Sequence, residues 1–261
     1  MDGDADIAAI AAVLADPRRS RVLMALGDGR AQSASVLASE AGVAPSTASE
    51  HLAKLVGAGL IAVEPRGRHR YFRLAGHHVA DLLEALARVA PPARVRSLTD
   101  ETRARAIRAA RTCYDHLAGR LGVATMDAMI DRGWLTTQSI AGSLPRSRRA
   151  APRGPSEPHR IRGLGLTETG AVSLEELGVD LDRLPLRRPA IRACIDWSEQ
   201  RPHLAGAVGA ALTNRLFDMT WIRRADRSRA VKVTDEGRRG FADAFGVRVD
   251  ELAGRSTAPS A

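Results

Sequence analysis

The chain has 261 residues, 44% hydrophobic and 26% charged, with a formal net charge of +9. That apolar fraction with charges of both signs excludes a disordered chain, and 23 glycines and 13 prolines without a triplet period exclude a collagen-like fibre. No apolar run reaches the ~18–20 residues of a membrane span, the acidic start MDGDADIAAI is unlike a secretory leader, and two cysteines make no disulfide framework, so a cytoplasmic protein with no membrane partner is expected.

The charge is unevenly spread. Residues 1–90 hold ten Lys/Arg and ten Asp/Glu, so the remainder, with 29 and 20, carries the whole +9. Residues 5–14 read as an apolar helix ended by Asp16-Pro17, and residues 18–26 as a second helix with Val22, Leu23 and Leu26 on one face. Residues 33–41 form a short helix, Gly42-Val43-Ala44 a tight turn, and residues 45–57 a further helix opened by Pro45. Leu52, Leu55 and Val56 make its inward stripe, which leaves Ser46, Thr47, Ser49, Glu50, His51 and Lys54 outside. Ala44 supplies no capping side chain. Residues 61–64 and 71–74 read as strands around a loop, 65–70, that carries Arg66, Arg68, His69 and Arg70. A two-helix turn followed by a hairpin with a basic tip is a winged helix-turn-helix. Residues 78–89 add an amphipathic helix, and Pro91-Pro92 closes the domain.

The second half repeats itself. Arg111-Thr112-Cys113-Tyr114-Asp115 returns as Arg192-Ala193-Cys194-Ile195-Asp196, and His116-Leu117-Ala118-Gly119 as His203-Leu204-Ala205-Gly206. Each histidine stands 18 residues before a tryptophan, Trp134 and Trp221, and Thr167-Glu168-Thr169-Gly170 is answered by Thr234-Asp235-Glu236-Gly237. The first copy holds 20 extra residues, which coincide with a Pro- and Arg-rich segment, 141–163, of charge +5. It reads as a solvated loop or as a basic wing on DNA phosphate. Each copy is expected to run helix, apolar helix, aromatic turn, hairpin, helix. The expected fold is therefore mainly α with small β-hairpin wings: a winged helix-turn-helix over 1–91, two degenerate winged-helix-like units over 98–183 and 184–252, and a tail over 253–261.

Residues 5–91 resemble the ArsR/SmtB family of bacterial repressors. The likeness rests on Ala15-Asp16-Pro17-Arg18-Arg19-Ser20-Arg21-Val22-Leu23, on Ser46-Thr47-Ala48-Ser49-Glu50-His51-Leu52-Ala53-Lys54-Leu55, on Gly57-Ala58-Gly59-Leu60-Ile61 and on Gly67-Arg68-His69-Arg70-Tyr71-Phe72. It implies a homodimer that represses transcription from a double-stranded DNA operator and leaves it on binding an effector. The residues make the same assignment plausible. Short polar groups on the second helix of the turn suit base edges, and arginines at the wing suit phosphate or the minor groove. The competing class is a protein-interaction module built from winged helices, independent of thiols and soft metals, with no specific DNA binding.

The family's usual metal sites do not carry over. In the cadmium- and lead-sensing branch, closest in pattern, two positions of the His-Leu-x-x-Leu-x-x-x-Gly-Leu stretch are cysteines; here they are Lys54 and Ala58. No metal or other cofactor is required on this reading. A soft ion (Cd, Pb or Zn) or another effector remains open at Cys113, His116, Cys194 and His203. Cys113 and His116, spaced i, i+3, are expected on one helix face, whereas Cys194 and His203, nine apart, need tertiary folding to meet. Both cysteines equally suit buried packing or redox sensing. Cys113, Asp115 and His116 hold a nucleophile, a carboxylate and a base, but on one helix they would not converge as a triad, so no enzyme is expected. The tryptophans of the second half read as core packing or as a pocket for an organic ligand.

Overall fold

The computed structural model describes residues 4–91, 97–136, 164–226 and 228–253, and the chain divides into two compact units, Met1–Ala87 and Arg88–Ala261. Pro92, the basic segment 141–163 and residues 254–261 of the tail lie outside the described residues.

In the first unit, α1 (Ile7–Leu14) and α2 (Pro17–Ala25) meet at Asp16. Its Oδ1 accepts the backbone N–H groups of Arg18 (2.8 Å) and Arg19 (3.0 Å), which α2 cannot satisfy internally. β1 (Gln32–Ser33) leads into α3 (Ala34–Ala41), capped by Ser33, and then into α4 (Pro45–Gly57). Ala44 precedes α4 without a side-chain cap, as its sequence requires. β2 (Ile61–Arg66) and β3 (His69–Leu74) pair from Ile61↔Leu74 to Arg66↔His69. The wing is thus a long ribbon with a turn of only Gly67 and Arg68, not a loop over 65–70. Val63, Glu64 and Pro65 face Phe72, Tyr71 and Arg70 in register and extend the pairing to the tip. β1 pairs with β3 through Gln32↔Phe72 and Ser33↔Tyr71, a third strand too short to show a period in the sequence. α5 (His77–Val89) follows. Leu23, Leu37, Leu52, Leu55, Phe72 and Leu74 form the centre of this unit's core.

The second unit begins with α6 (Leu98–Ala109). Its first copy then runs β4 (Arg111–Cys113), β5 (His116–Ala118), α7 (Gly119–Asp131), β6 (Leu135–Thr136), β7 (Gly165–Leu166) and α8 (Glu168–Glu176). The second copy runs β8 (Arg192–Ile195), β9 (Pro202–Ala205), α9 (Gly206–Asp218), β10 (Ile222–Arg224), β11 (Val231–Val233) and α10 (Asp235–Phe245), with α11 (Val249–Ala253) at the end. Each copy opens with a β-hairpin where a helix was expected. The two copies share one core, in which Leu121 and Met129 of α7, Leu212 and Leu216 of α9, and Phe241 and Phe245 of α10 are buried together. Trp134 of the first copy packs edge-on against Phe245 of the second (ring centroids 5.5 Å), and Trp221 lies against Phe241 (5.8 Å). Trp134 is therefore a core side chain and Trp221 a half-buried one packed against the core.

The packing of the copies is reciprocal. A Cβ on Gly122 of α7 would stand 2.5 Å from the Leu117 carbonyl oxygen and 3.7 Å from the His203 Cβ. A Cβ on Gly209 of α9 would stand 2.6 Å from the Leu204 carbonyl oxygen and 3.5 Å from the His116 Cβ. Each helix therefore needs a glycine there to admit its own hairpin's backbone and the other hairpin's histidine.

Candidate functional site

Two places gather the residues singled out by the sequence. The first is the outer face of α4 with the wing. Ser46, Ser49, Glu50 and Lys54 are exposed along α4, Thr47 is half-buried, and Arg66, Arg68, His69 and Arg70 are all exposed on the ribbon. Ser49 Oγ donates to the Pro45 carbonyl (3.0 Å), which leaves its lone pairs facing outward. Two expectations are corrected. His51 is buried, 9% exposed, and belongs to the inner face with Ala48, Leu52 and Leu55. Positions 48, 51, 52 and 55 fall on one side of a 3.6-residue period, which turns Val56 outward, and it is 37% exposed. His51 is thus a core histidine and not a base reader.

The arginines of the wing are not equivalent. Arg66 donates to Glu64 (3.1 Å) and lies over the Tyr71 ring (5.1 Å to its centroid), and Arg73 donates to the same carboxylate (2.5 Å). These hydrogen bonds hold the Glu64 carboxyl below its ordinary range. Arg68 and Arg70 have no ion pair among the described residues, so their charge stands available to an anion. A groove of about 830 Å³ runs between α4 and the ribbon, with Ser49, Val56, Arg68 and Tyr71 on its walls.

The second place is buried in the second unit. Cys113 pairs with His116 across β4 and β5, and Cys194 pairs with His203 across β8 and β9. Directly opposed residues of an antiparallel ladder project to the same face, so each hairpin offers one Cys–His pair. The i, i+3 helix face expected for Cys113 and His116 is not what brings them together: Tyr114 takes a positive φ of 59° and folds the chain back within two residues. In the second copy a longer turn reaches the same pairing, which reconciles the spacing of nine. The Sγ and ring-nitrogen atoms of the four residues lie within 4.8 Å of one another, and all four side chains are buried. The two imidazoles stack with centroids 5.0 Å apart. Neither cysteine is in a disulfide.

Carboxylates flank the cluster. Asp115 Oδ1 lies 3.1 Å from Nδ1 of His116 and also takes Arg188 Nη2 at 3.0 Å. Asp196 binds the fully buried Arg111 (3.0 Å), accepts the Gly119 N–H at the start of α7 (2.6 Å), and stands 3.9 Å from Nδ1 of His203. Burial opposes charge on both carboxyls, yet His116 and Arg188 in one case, and Arg111 foremost in the other, hold them well below the usual range. Burial likewise opposes a charged His116, but the negative charge of a Cys113 thiolate and of Asp115, with their hydrogen bonds, outweighs it and pushes the imidazole up to about 9. Arg111 also lies over the Trp197 ring (5.0 Å), which accounts for the third tryptophan. Cys113, His116 and Asp115 do converge, through the hairpin, but Cys113 is 1% and His116 2% exposed. The sequence found all four cluster residues through the repeat. It missed Asp196 and Arg111 as their framework, and the matched Arg and Asp in each copy were the signal.

A helix-turn-helix whose second helix shows short polar groups beside a basic ribbon is a DNA-binding domain. Residues 14–64 match a family model described as a helix-turn-helix domain. Over 245 residues the chain is 37% identical to YdfF of Bacillus subtilis (strain 168), an uncharacterized HTH-type transcriptional regulator, covering 94% of this chain and 99% of that protein. Over 83 residues it is 39% identical to the HTH-type transcriptional regulator CmtR of Mycobacterium tuberculosis, covering 32% of this chain and 70% of CmtR. Among solved structures, that of the cadmium metal-sensor CMTR from Mycobacterium tuberculosis aligns at 35% identity and a TM-score of 0.29, over 35% of this chain and 94% of that one. The chain belongs to the HTH-type transcriptional regulators, with an N-terminal winged helix-turn-helix. It is a DNA-binding transcriptional regulator, which sets aside the interaction-module reading. Among the described residues no helix is long and apolar enough to cross a membrane.

Proposed function

We propose that the protein is a homodimeric, cytoplasmic repressor that binds a double-stranded operator through α4 and the wing and is released by an effector. The observation that carries the reading is the pairing of an exposed polar face on α4 with Arg68 and Arg70, two cations without an ion pair among the described residues. Ser46, Thr47, Ser49, Glu50 and Lys54 are assigned to base edges and nearby phosphates, and Arg66, Arg68, His69 and Arg70 to phosphate or the minor groove. Dimerisation is assigned to α1 and α5. Ile7 is 77% exposed, Leu86 41% and Val89 81%, and a twofold contact would cover such apolar side chains. Two recognition helices about 34 Å apart would then read a palindrome, where one reads only a few base pairs.

The two copies of the second unit are read as winged-helix-like modules, 98–183 and 184–252, that receive the effector. The +5 segment 141–163 is a candidate phosphate contact from the first of them. Effector binding need favour the low-affinity state by only ~1–3 kcal/mol to switch a promoter. Fluorescence anisotropy on the upstream DNA of its own gene and on a scrambled duplex tests the reading. Tighter binding to the upstream duplex, weakened by rising salt, supports it; equal binding to both overturns sequence recognition.

A further inference from the structure

We propose that Cys113, His116, Cys194 and His203 form a closed tetrahedral site for one borderline or soft divalent cation of the zinc and cadmium class, each hairpin of the repeat giving one thiolate and one imidazole. The proposal concerns the second unit alone and does not depend on the repressor reading.

Four observations converge. The donor set is S₂N₂, the chemistry that selects zinc or cadmium over the hard cations held by oxygen ligands. The four donor atoms already lie within 4.8 Å of each other. Bonds of about 2.3 Å to sulfur and about 2.0–2.1 Å to nitrogen put tetrahedral ligands about 3.3–3.8 Å apart, so closure asks for a contraction of about 1 Å, within reach of side-chain rotation. Next, ring nitrogens there lack hydrogen-bond partners: Nε2 of His116 and both nitrogens of His203, on residues 2% and 0% exposed. A buried polar atom left unsatisfied costs about 1–3 kcal/mol, and a cation bound at Nε2 of both rings removes two of those penalties. Thirdly, Asp115 holds Nδ1 of His116 from behind, and Asp196 stands behind Nδ1 of His203. A carboxylate hydrogen-bonded to Nδ1, as Asp115 is to His116, fixes the tautomer that leaves Nε2 free to ligate, whereas Asp196 at 3.9 Å supplies His203 with a neighbouring charge and no hydrogen bond.

Charge balance supplies the last observation. A divalent cation with two thiolates and two neutral imidazoles is electrically neutral once the cysteine protons and the extra proton held on His116 have left to solvent. The carboxylates behind it are already matched, Asp115 by Arg188 and Asp196 by Arg111. Filling the site therefore leaves no uncompensated charge in the core. With all four positions taken by protein and no exposed donor, the site is of the closed kind and not one that keeps a position open for substrate. Because the ligands come equally from both copies, the ion clamps the two hairpins across the reciprocal Gly122 and Gly209 packing.

The test uses the full chain, reduced and stripped of metal, titrated with Co²⁺ and then with Zn²⁺. Expected are strong visible bands of tetrahedral cobalt with a near-ultraviolet thiolate charge-transfer band, saturating at one ion per chain and bleached by Zn²⁺. C113S and C194S should each lower the charge-transfer intensity by about half, and H203Q should weaken the visible bands. The wild-type spectrum alone can overturn the proposal: weak octahedral bands, no thiolate transition, or no saturation at one equivalent. Unchanged spectra in C113S or C194S chains that keep wild-type circular dichroism overturn it as well.

Discussion

The two hairpins of the second unit make the same pair by different routes. β4 and β5 are joined by Tyr114 and Asp115 alone, with Tyr114 in the left-handed region, and place Cys113 opposite His116. β8 and β9 extend one pair further, to Ile195↔Pro202, and turn through six residues, yet place Cys194 opposite His203. Turn length is thus free to vary, whereas the Cys–His register is held. The surroundings differ as well. Asp115 shares a partly exposed salt bridge with Arg188 of the second copy, while Asp196 is fully buried and reaches into the first copy, to the buried Arg111 and the Gly119 N–H. Both turns therefore tie one copy to the other, the second hairpin's through a fully buried ion pair and the first hairpin's through one that solvent reaches.

That asymmetry can be broken by mutation. Asp196→Ala would leave the Arg111 charge buried without its counter-ion, and is expected to cost about 3–5 kcal/mol of stability in urea unfolding. Asp115→Ala should cost only about 1 kcal/mol, because its partner is reached by solvent. Equal losses would remove the distinction between the two turns. The acid limb sharpens it. A carboxyl whose folded pKa is depressed contributes fully above its unfolded value near 3.9, and the contribution is lost as pH falls below that value. Wild-type stability should therefore drop progressively below pH ~4, and the Asp196→Asn protein should show a flatter acid limb in pH-dependent thermal melts.

The next effect concerns what the copies share. Gly209→Ala places a methyl 2.6 Å from the Leu204 carbonyl oxygen and should cost about 1–3 kcal/mol, with Gly122→Ala similar. A tolerated alanine at either site would show that the reciprocal packing is looser than the distances imply.

The smallest effects separate the DNA-reading face from its own core. Arg68→Ala should weaken binding across all sequences and lower the salt slope by about 1, whereas Ser46→Ala should alter base preference at fixed salt. His51→Ala should lower stability and leave base preference unchanged, because His51 faces the core. A changed preference in a stable His51→Ala protein would return that residue to the outer face.

The first unit was more legible in the sequence than the second. Pro45 and the glycine turn gave both bounds of α4, and the turn after Gly59 gave strands over 61–64 and 71–74, although their pairing runs on through residues read as a loop over 65–70. His51 was misplaced because a histidine among serines looks polar, while the helical period that runs through Ala48, Leu52 and Leu55 decides its side. In the second unit the repeat disclosed the four cluster residues and the glycines after each hairpin. It could not tell helix from hairpin, because strands of three and four residues show no period and a non-glycine left-handed residue such as Tyr114 carries no sequence signal. Asp196 was missed for the same reason: its role depends on which turn folds over the other copy.

The most direct measurement is anisotropy of the full-length protein on its own upstream DNA, against a scrambled duplex, at fixed salt and with and without Cd²⁺. Binding that prefers the upstream duplex and loosens about 5–150-fold with Cd²⁺, but not in the C113S/C194S protein, is the predicted result. Binding no tighter than to the scrambled duplex would contradict the assignment of α4 and the wing to operator recognition.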